Sequence, residues 1–296
     1  MLVTGAGGQL GGYLRPELQN AGYTVLGLGS RSKAGVDLVA DVPAIDDSRR
    51  ALDGNAFDAV IHAVAFTDVD GCERGPDLAR QMNQIGSRNI ARIARERGAW
   101  LVGVSTDFVF DGEGGAPYGE DTYTEPVSEY GRSKMLGDIE IMEASRDFSI
   151  ARTSWVSGGE GKHFPRTVLS TVARLGQMEV VDDEIGSPAF AGDLARALTL
   201  LLAKRPSGFF HLANAGSVSR FAFAREILRL AGLDPEVIQP TSTAAFLRKF
   251  PLTAKGPANS TLKKTQAAAL GIQLSDWRQP LESYIPRLAR EFAEKS

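Results

Sequence analysis

The sequence predicts a doubly wound α/β fold, a parallel sheet with helices on both faces, and three observations carry that expectation. In the first half of the chain short apolar runs alternate with longer stretches whose apolar residues recur every three to four positions, the pattern of βαβ units. The runs are nearly continuous, as in Asp58-Ala-Val-Ile-His62, and strands covered on both faces read that way. Glycine supplies 32 of the 296 residues, above a background of about 7%, and 24 of the 32 lie in residues 1–161.

Taken in order, strands are expected at Met1–Thr4, Thr24–Leu28, Val36–Val39, Ala59–His62, Trp100–Ser105 and Phe148–Arg152. Helices are expected between them at Gln9–Ala21, Asp46–Leu52, Pro76–Arg97 and Ser128–Ala144, where the apolar spacing is helical. Beyond Arg152 the pattern loosens into helices near Phe164–Leu175, Ala191–Ala203, Ser219–Ala231 and Leu281–Ala293, with strand-like pieces at Met178–Val181 and Gly208–Leu212. A soft boundary near Arg152 therefore divides a domain of residues 1–152 from a smaller α/β part, 153–296, that can lend elements back to the first sheet.

Several function classes fall away on composition. With 33 Lys+Arg against 36 Asp+Glu and no basic run, the chain lacks the electrostatic footprint of a nucleic-acid binder. Cys72 is the only cysteine, and His62, His163 and His211 show no ligand spacing, so neither a disulfide nor a metal is expected. The longest strongly apolar stretch, Leu198–Ala203, is far below the ~20 residues that span a bilayer, and Met1–Gly12 lacks the features of a signal peptide. A reducing, cytoplasmic setting is expected, with no membrane or nucleic-acid partner.

Gly5-Ala-Gly-Gly8-Gln9-Leu10-Gly11 follows the first strand and opens the first helix. In that Gly5-x-x-Gly8-x-x-Gly11 spacing the first glycine permits a tight turn, the second lets backbone approach a pyrophosphate, and the third allows close helix–strand packing. The helix N-terminus adds free N–H groups and a positive dipole end, so a dinucleotide site is expected. After the second strand, where an acid would bind a ribose hydroxyl, the chain reads Gly29-Ser30-Arg31-Ser32-Lys33. Hydroxyls and a guanidinium suit a 2′-phosphate, which favours NADP(H) while leaving NADH open. Asp41-Val42 follows the third strand, where a side chain can meet the adenine.

Ser105-Thr106-Asp107 closes the fifth strand, and Tyr130-Gly-Arg-Ser-Lys134 opens a helix soon after. A spacing of four puts Tyr130 and Lys134 on one helix face. An ammonium beside a phenol favours phenolate, drawing the tyrosine below its free pKa of about 10. General acid catalysis of carbonyl reduction needs such a group.

With these residues in place the chain resembles the extended short-chain dehydrogenase/reductases, and within them the dTDP-4-dehydrorhamnose reductases. The likeness runs through Gly5–Gly11, Ala63-Val-Ala-Phe-Thr-Asp-Val-Asp70, Asn83, Ser105–Gly112, Tyr130–Lys134, Arg152-Thr-Ser-Trp-Val156 and Gly186-Ser-Pro188. It implies a Rossmann-type sheet and reduction of the C4 keto group of a 6-deoxy-4-keto sugar nucleotide, dTDP-4-dehydro-L-rhamnose above all. By the same resemblance Thr106 would bind the substrate carbonyl, Tyr130 would protonate the alkoxide, and Lys134 would hold the nicotinamide ribose. Ala63, Val64, Ala65 and Asn83 would belong to the cofactor site. Thr67, Asp107, Phe108 and Trp155 would face the sugar. Related dehydratases carry a glutamate where this chain has Phe108, which has no proton to exchange, so elimination is disfavoured.

The chain departs from the family pattern at Ser157, His163, Asp183-Glu184, Ala189 and Gly256-Pro257, the last removing a guanidinium that could meet a diphosphate, with Lys255 as a neighbouring substitute. These changes keep open a reductase of another sugar nucleotide or ketone. The scaffold also resembles the regulatory subunit of methionine adenosyltransferase, a non-catalytic NADP-binding alternative that the complete Thr106, Tyr130 and Lys134 set disfavours. A homodimer is compatible with the resemblance, although no interface is legible.

Overall fold

The computed structural model describes residues 1–114 and 117–293. Its strands are β1 (Leu2–Thr4), β2 (Leu26–Gly29), β3 (Leu38–Val39), β4 (Ala59–His62), β5 (Trp100–Thr106), β6 (Phe148–Thr153), β7 (Val156–Ser157), β8 (Met178–Val181), β9 (Ile185–Gly186), β10 (Ala189–Phe190), β11 (Gly208–His211), β12 (Val218–Ser219) and β13 (Ile238–Thr241). Seven of them form the central sheet in the order β11-β6-β5-β4-β1-β2-β3, every pair parallel. The order reverses between β1 and β4, and a crevice opens beyond the carboxyl ends of strands at such a point.

The helices are α1 (Gln9–Asn20), α2 (Ile45–Ala51), α3 (Val69–Arg74), α4 (Pro76–Ala79), α5 (Gly86–Glu96), α6 (Glu129–Ala144), α7 (Phe164–Leu175), α8 (Ala191–Lys204), α9 (Arg220–Leu230), α10 (Thr243–Lys249), α11 (Thr265–Ala269) and α12 (Arg278–Ala293). Strand side chains alternate between the two faces. Val3, Ile61, Val102 and Ala151 pack with Leu14 and Leu18 of α1 and Leu194, Leu198 and Leu201 of α8. Their neighbours Leu2, Val60, Leu101 and Ile150 pack on the opposite side with Ile90 and Ile93 of α5 and Ile141 of α6. A further core joins α7, α9 and α12 around Phe223, Trp277 and Leu281.

Two expectations need correction. The second strand is Leu26–Gly29, and the third shrinks to Leu38–Val39 because the chain before it is taken up by a turn, with Gly35 at φ +83° and the Val36 N–H bonded to the Lys33 carbonyl at 3.0 Å. The single helix expected at Pro76–Arg97 is broken by a π-helical segment, Arg80–Ile85, between α4 and α5. Such wide turns often sit beside functional sites, and this one carries Asn83. The strand-like piece expected at Gly208–Leu212 is present as β11, which pairs with β6 at the edge of the central sheet and so is an element lent back to the first half.

Candidate active site

A cavity of about 370 Å³ lies over the switch point. Its floor is the glycine loop. Gly5 has φ +73°, and a Cβ there would sit 2.9 Å from the Ala63 carbonyl. At Gly11 a Cβ would approach the carbonyl oxygens of Gly5 and Ala6 to 2.4 and 2.5 Å, so only glycine lets α1 start this close to the strand. Gly8 caps α1 with no side chain, and no side-chain hydrogen bond covers the first turn. The orphan N–H groups of that turn are left for an anion. A pyrophosphate-bearing dinucleotide therefore fits these residues: the cradle offers free backbone N–H groups, and Gly5 and Gly11 admit no side chain.

The opposite wall comes from β5 and α6. Thr106 Oγ1 accepts the Phe108 N–H at 3.2 Å and donates to Asp107 Oδ1 at 3.0 Å, folding the chain into a tight turn after the strand. Asp107 is buried and also accepts from Ser154 Oγ at 2.7 Å. Ser128 caps α6 by accepting the Gly131 N–H. Gly131 is needed there, since a Cβ would lie 2.1 Å from the Phe108 carbonyl. This approach brings Tyr130 beside Thr106, with its ring edge-to-face against Phe108 at 5.5 Å. Burial pushes the phenol of Tyr130 well up, and its hydrogen bond with Thr106 only partly opposes that. The expectation of a lowered tyrosine pKa is thus corrected: burial dominates, and the nearby acids Asp107 and Asp138 add to the rise.

Lys134 Nζ donates to the Val104 carbonyl at 2.8 Å. Burial lowers its pKa, and Asp138, one turn further along α6, opposes the shift. Asp138 accepts Ser105 Oγ–H at 2.8 Å and stands 3.8 Å from Arg152 Nε, both side chains nearly inaccessible. Lys134, Asp138 and Arg152 form a buried row of alternating charge beneath the site.

Most of the sequence-derived candidates meet in this cavity. Gly5, Gly8, Gln9, Leu10 and Gly11 line its floor, and Ala63, Ala65 and Thr67 one side. Thr106, Asp107, Phe108, Tyr130, Lys134 and Trp155 close the other. Gln9 also ties α1 to the far half of the chain, donating to the Gly158 carbonyl at 2.7 Å. Ser30, Arg31 and Asp41 are exposed beyond the ends of β2 and β3, outside the cavity. Three candidates are corrected. Val42 is buried in the core against Gly86, and the Val64 side chain packs into that same core. Asn83 is fully buried, with its amide committed to both backbone groups of Phe66 and to Ser133 Oγ, so it braces the site from behind.

Sequence reasoning missed Ser154, Lys162 and Arg220, which also line the cavity. Ser154 sat inside the Arg152–Val156 run and could have been found there. Arg220 opens α9 far along the chain, with no local signal. Trp155, in the left-handed region at φ +47°, lies against Gly186 and under the Arg220 guanidinium, 3.6 Å from the ring centroid.

Comparison with known proteins agrees with this geometry. The family described as RmlD substrate binding domain matches residues 1–290. A dTDP-4-dehydrorhamnose reductase of Mycobacterium tuberculosis is 38% identical, covering 96% of this chain and 92% of its own. The spore coat polysaccharide biosynthesis protein SpsK of Bacillus subtilis is 37% identical, with 96% of each chain covered. A crystal structure of dTDP-4-dehydrorhamnose reductase from Bacillus anthracis in complex with NADP superimposes with a TM-score of 0.86 at 32% identity, covering 96% of this chain and 97% of that one. Among the described residues no helix is long and apolar enough to cross a membrane. On the glycine cradle, the Thr106–Tyr130–Lys134 wall and these matches together, the chain belongs to the dTDP-4-dehydrorhamnose reductase family.

Proposed function

We propose that this protein is an NADPH-dependent reductase that converts the C4 ketone of a 6-deoxy-4-keto sugar nucleotide to an alcohol, with dTDP-4-dehydro-L-rhamnose as substrate. The observation that carries the reading is the placement of Tyr130, Thr106 and Lys134 across one cavity from the glycine-built phosphate cradle.

NADPH, when bound, supplies the hydride. The first turn of α1 and Gly5–Gly11 hold the pyrophosphate, and Ser30 and Arg31 meet the 2′-phosphate. Asp41 edges the adenine side, and Ala63 and Ala65 line the cleft. Lys134 holds the ribose. Thr106 orients the substrate carbonyl, and Tyr130 gives its phenolic proton to the oxygen as negative charge develops there. A tyrosine held in its acid form suits that direction of reaction. The Lys134 ammonium then steadies the phenolate until solvent returns the proton. Asp107 anchors a sugar hydroxyl, Trp155 and Thr67 flank the ring, and Phe108 supplies no base for elimination. Residues 153–296 furnish most of the sugar-nucleotide side. The buried, unpaired Cys72 supports a cytoplasmic setting.

Purified protein should oxidise NADPH when given dTDP-4-dehydro-L-rhamnose, followed at the nicotinamide absorbance. Tyr130→Phe should lose most turnover while binding NADP as before. If the wild type leaves NADPH untouched with every ketosugar nucleotide offered, the reading is wrong. Glu184 and Gly256, which stand together where the nucleotide would lie, favour one second reading, a reductase of a different sugar nucleotide.

A further inference from the structure

A second cavity, of about 250 Å³, adjoins the first and has an apolar wall that includes Phe164, Met178 and Phe246. Val69, Phe108 and Arg220 line both cavities and form the neck between them. A sugar nucleotide with its ketone at Tyr130 and its base in the apolar cavity must pass its diphosphate through that neck. Arg220 is the one cation there among the described residues. Its guanidinium is held between the rings of Trp155, at 3.6 Å, and Phe164, at 5.1 Å, so the fork is oriented before any ligand arrives. Lys255, which the sequence offered as a replacement charge, is exposed and lines neither cavity.

Arg220 has a resting partner. Its Nε lies 3.7 Å from Glu184 Oε2, and both side chains are largely buried. The place of the missing side chain at Gly256 is filled by the same carboxylate, since a Cβ there would lie 3.1 Å from Glu184 Oε1. Two of the departures from the family pattern are thus neighbours around one guanidinium. The others do not reach the cleft: Ser157 and Ala189 are buried in β7 and β10, and His163 is bonded to Tyr284 Oη. Asp183 is occupied by the N–H and hydroxyl of Thr243.

We propose that Arg220 grips the diphosphate of the substrate at this neck, that Glu184 holds its place in the free protein, and that binding draws one proton from solvent onto Glu184. This rests on the sugar-nucleotide reading above. A diphosphate beside the Glu184 carboxylate places like charges together in a partly dry site, and the carboxylate is the member that can be neutralised. Its surroundings already lean that way. Burial raises Glu184, and Asp183 adds to the rise, while Arg220 opposes it. Asp107 faces Arg220 from the first cavity, and Asp70 and Glu179 are further acids lining the second, Glu179 being paired with Lys249 at 2.8 Å, while Lys162 lines the first cavity away from the neck. An incoming diphosphate competes for Arg220 and removes the main influence keeping Glu184 ionised.

The test is calorimetric titration of NADP⁺-loaded protein with dTDP-glucose, whose diphosphate does not titrate near neutrality, in two buffers of different ionisation enthalpy from pH 6 to 8.5. Wild type should take up close to one proton, and its Kd should rise up to tenfold per pH unit above the free-state pKa of Glu184. Glu184→Gln should take up none, lose the pH dependence and bind at least tenfold tighter than wild type at pH 8. Arg220→Lys, which keeps the charge and loses the fork, should weaken dTDP-glucose at least tenfold and leave NADP⁺ affinity unchanged. The proposal is overturned if wild type binds dTDP-glucose without proton uptake, if Glu184→Gln keeps the wild-type profile, or if Arg220→Lys binds as wild type does. A wild type that binds neither dTDP-glucose nor any ketosugar nucleotide overturns the sugar-nucleotide reading itself.

Discussion

Replacing Asp138 by asparagine removes the one negative charge from the buried row beneath the active site. Asparagine is close to isosteric and still accepts the Ser105 hydroxyl, so the change isolates the charge. Opposite unit charges 3.8 Å apart attract by about 4 kcal/mol at an effective dielectric near 20. Breaking a buried pair by removing one partner typically costs about 3–5 kcal/mol, because the other charge is stranded. Arg152 would be that charge: its Nε has no hydrogen-bond partner, and its remaining support is the Glu120 carbonyl at 3.4 Å and the rings of Phe209 and Phe110. At roughly 2–4 °C per kcal/mol for a chain of this order, the melting temperature should fall by about 10 °C. Lys134 loses the influence that raises it, so the alkaline limb of the kcat/KM profile should move to lower pH. Melting curves and a pH–rate profile of NADPH oxidation read both effects. A melting temperature within about 2 °C of wild type would refute the reasoning in a specific way. Burial pushes the Asp138 carboxyl upward, and a silent substitution would mean that it is already protonated in the native protein.

Three further outcomes follow from the same geometry. Gly11→Ala drives a Cβ into two carbonyl oxygens, and overpacking of that kind costs about 1–3 kcal/mol; titration with NADP should show at least tenfold weaker binding. Arg31→Ala should weaken NADP by about tenfold and leave NAD nearly unchanged, measured by fluorescence titration; equal loss for both would remove Arg31 from the 2′-phosphate. His62 and His211 are buried, and desolvation holds both down to about 3. Their folded pKa lies below the unfolded value of about 6.5, so stability is whole above pH 6.5 and each should lose about 2 kcal/mol by pH 5. Thermal melts from pH 7.5 to 5 check this, and a flat melting temperature in wild type contradicts it.

The tautomer of His62 shows how such a group stays neutral. Ser87 spends its hydroxyl hydrogen on the Asn83 carbonyl at 2.6 Å, so Nε2–H donates to Ser87 Oγ and Nδ1 accepts from Thr4. The arrangement satisfies both ring nitrogens of the neutral imidazole, and a second ring proton would require the Thr4 hydroxyl to turn its hydrogen away.

What the sequence disclosed was set by how local the causes are. The Gly5–Gly11 spacing, the strand before it and the helix after it lie within one short stretch, and Tyr130 and Lys134 share a helix turn, so both could be read directly. The π-helical turn at Arg80–Ile85 could not, because it depends on packing against α6, where a Cβ at Gly137 would strike the Asn83 carbonyl. Val42 is expected at the cofactor site because it follows the third strand, and Asn83 because the family resemblance implies it, but the first side chain turns into the core and hydrogen bonding fixes the second to Phe66. Arg220 reaches the neck only because α9 packs against α7 and β8. The raised pKa of Tyr130 is equally tertiary, a result of desolvation by elements distant in sequence.

The pairing of β11 with β6 ties the two halves of the chain at the level of the backbone. A fragment ending at Arg152 would leave the hydrogen-bonding edge of β6 open and strip α8 from the apolar stripe of α1. An unprotected edge beside an uncovered apolar face invites association with other chains. The first half is therefore not a separable module, and any change in the walls of the cleft has to be made with the second half remaining stitched to the first.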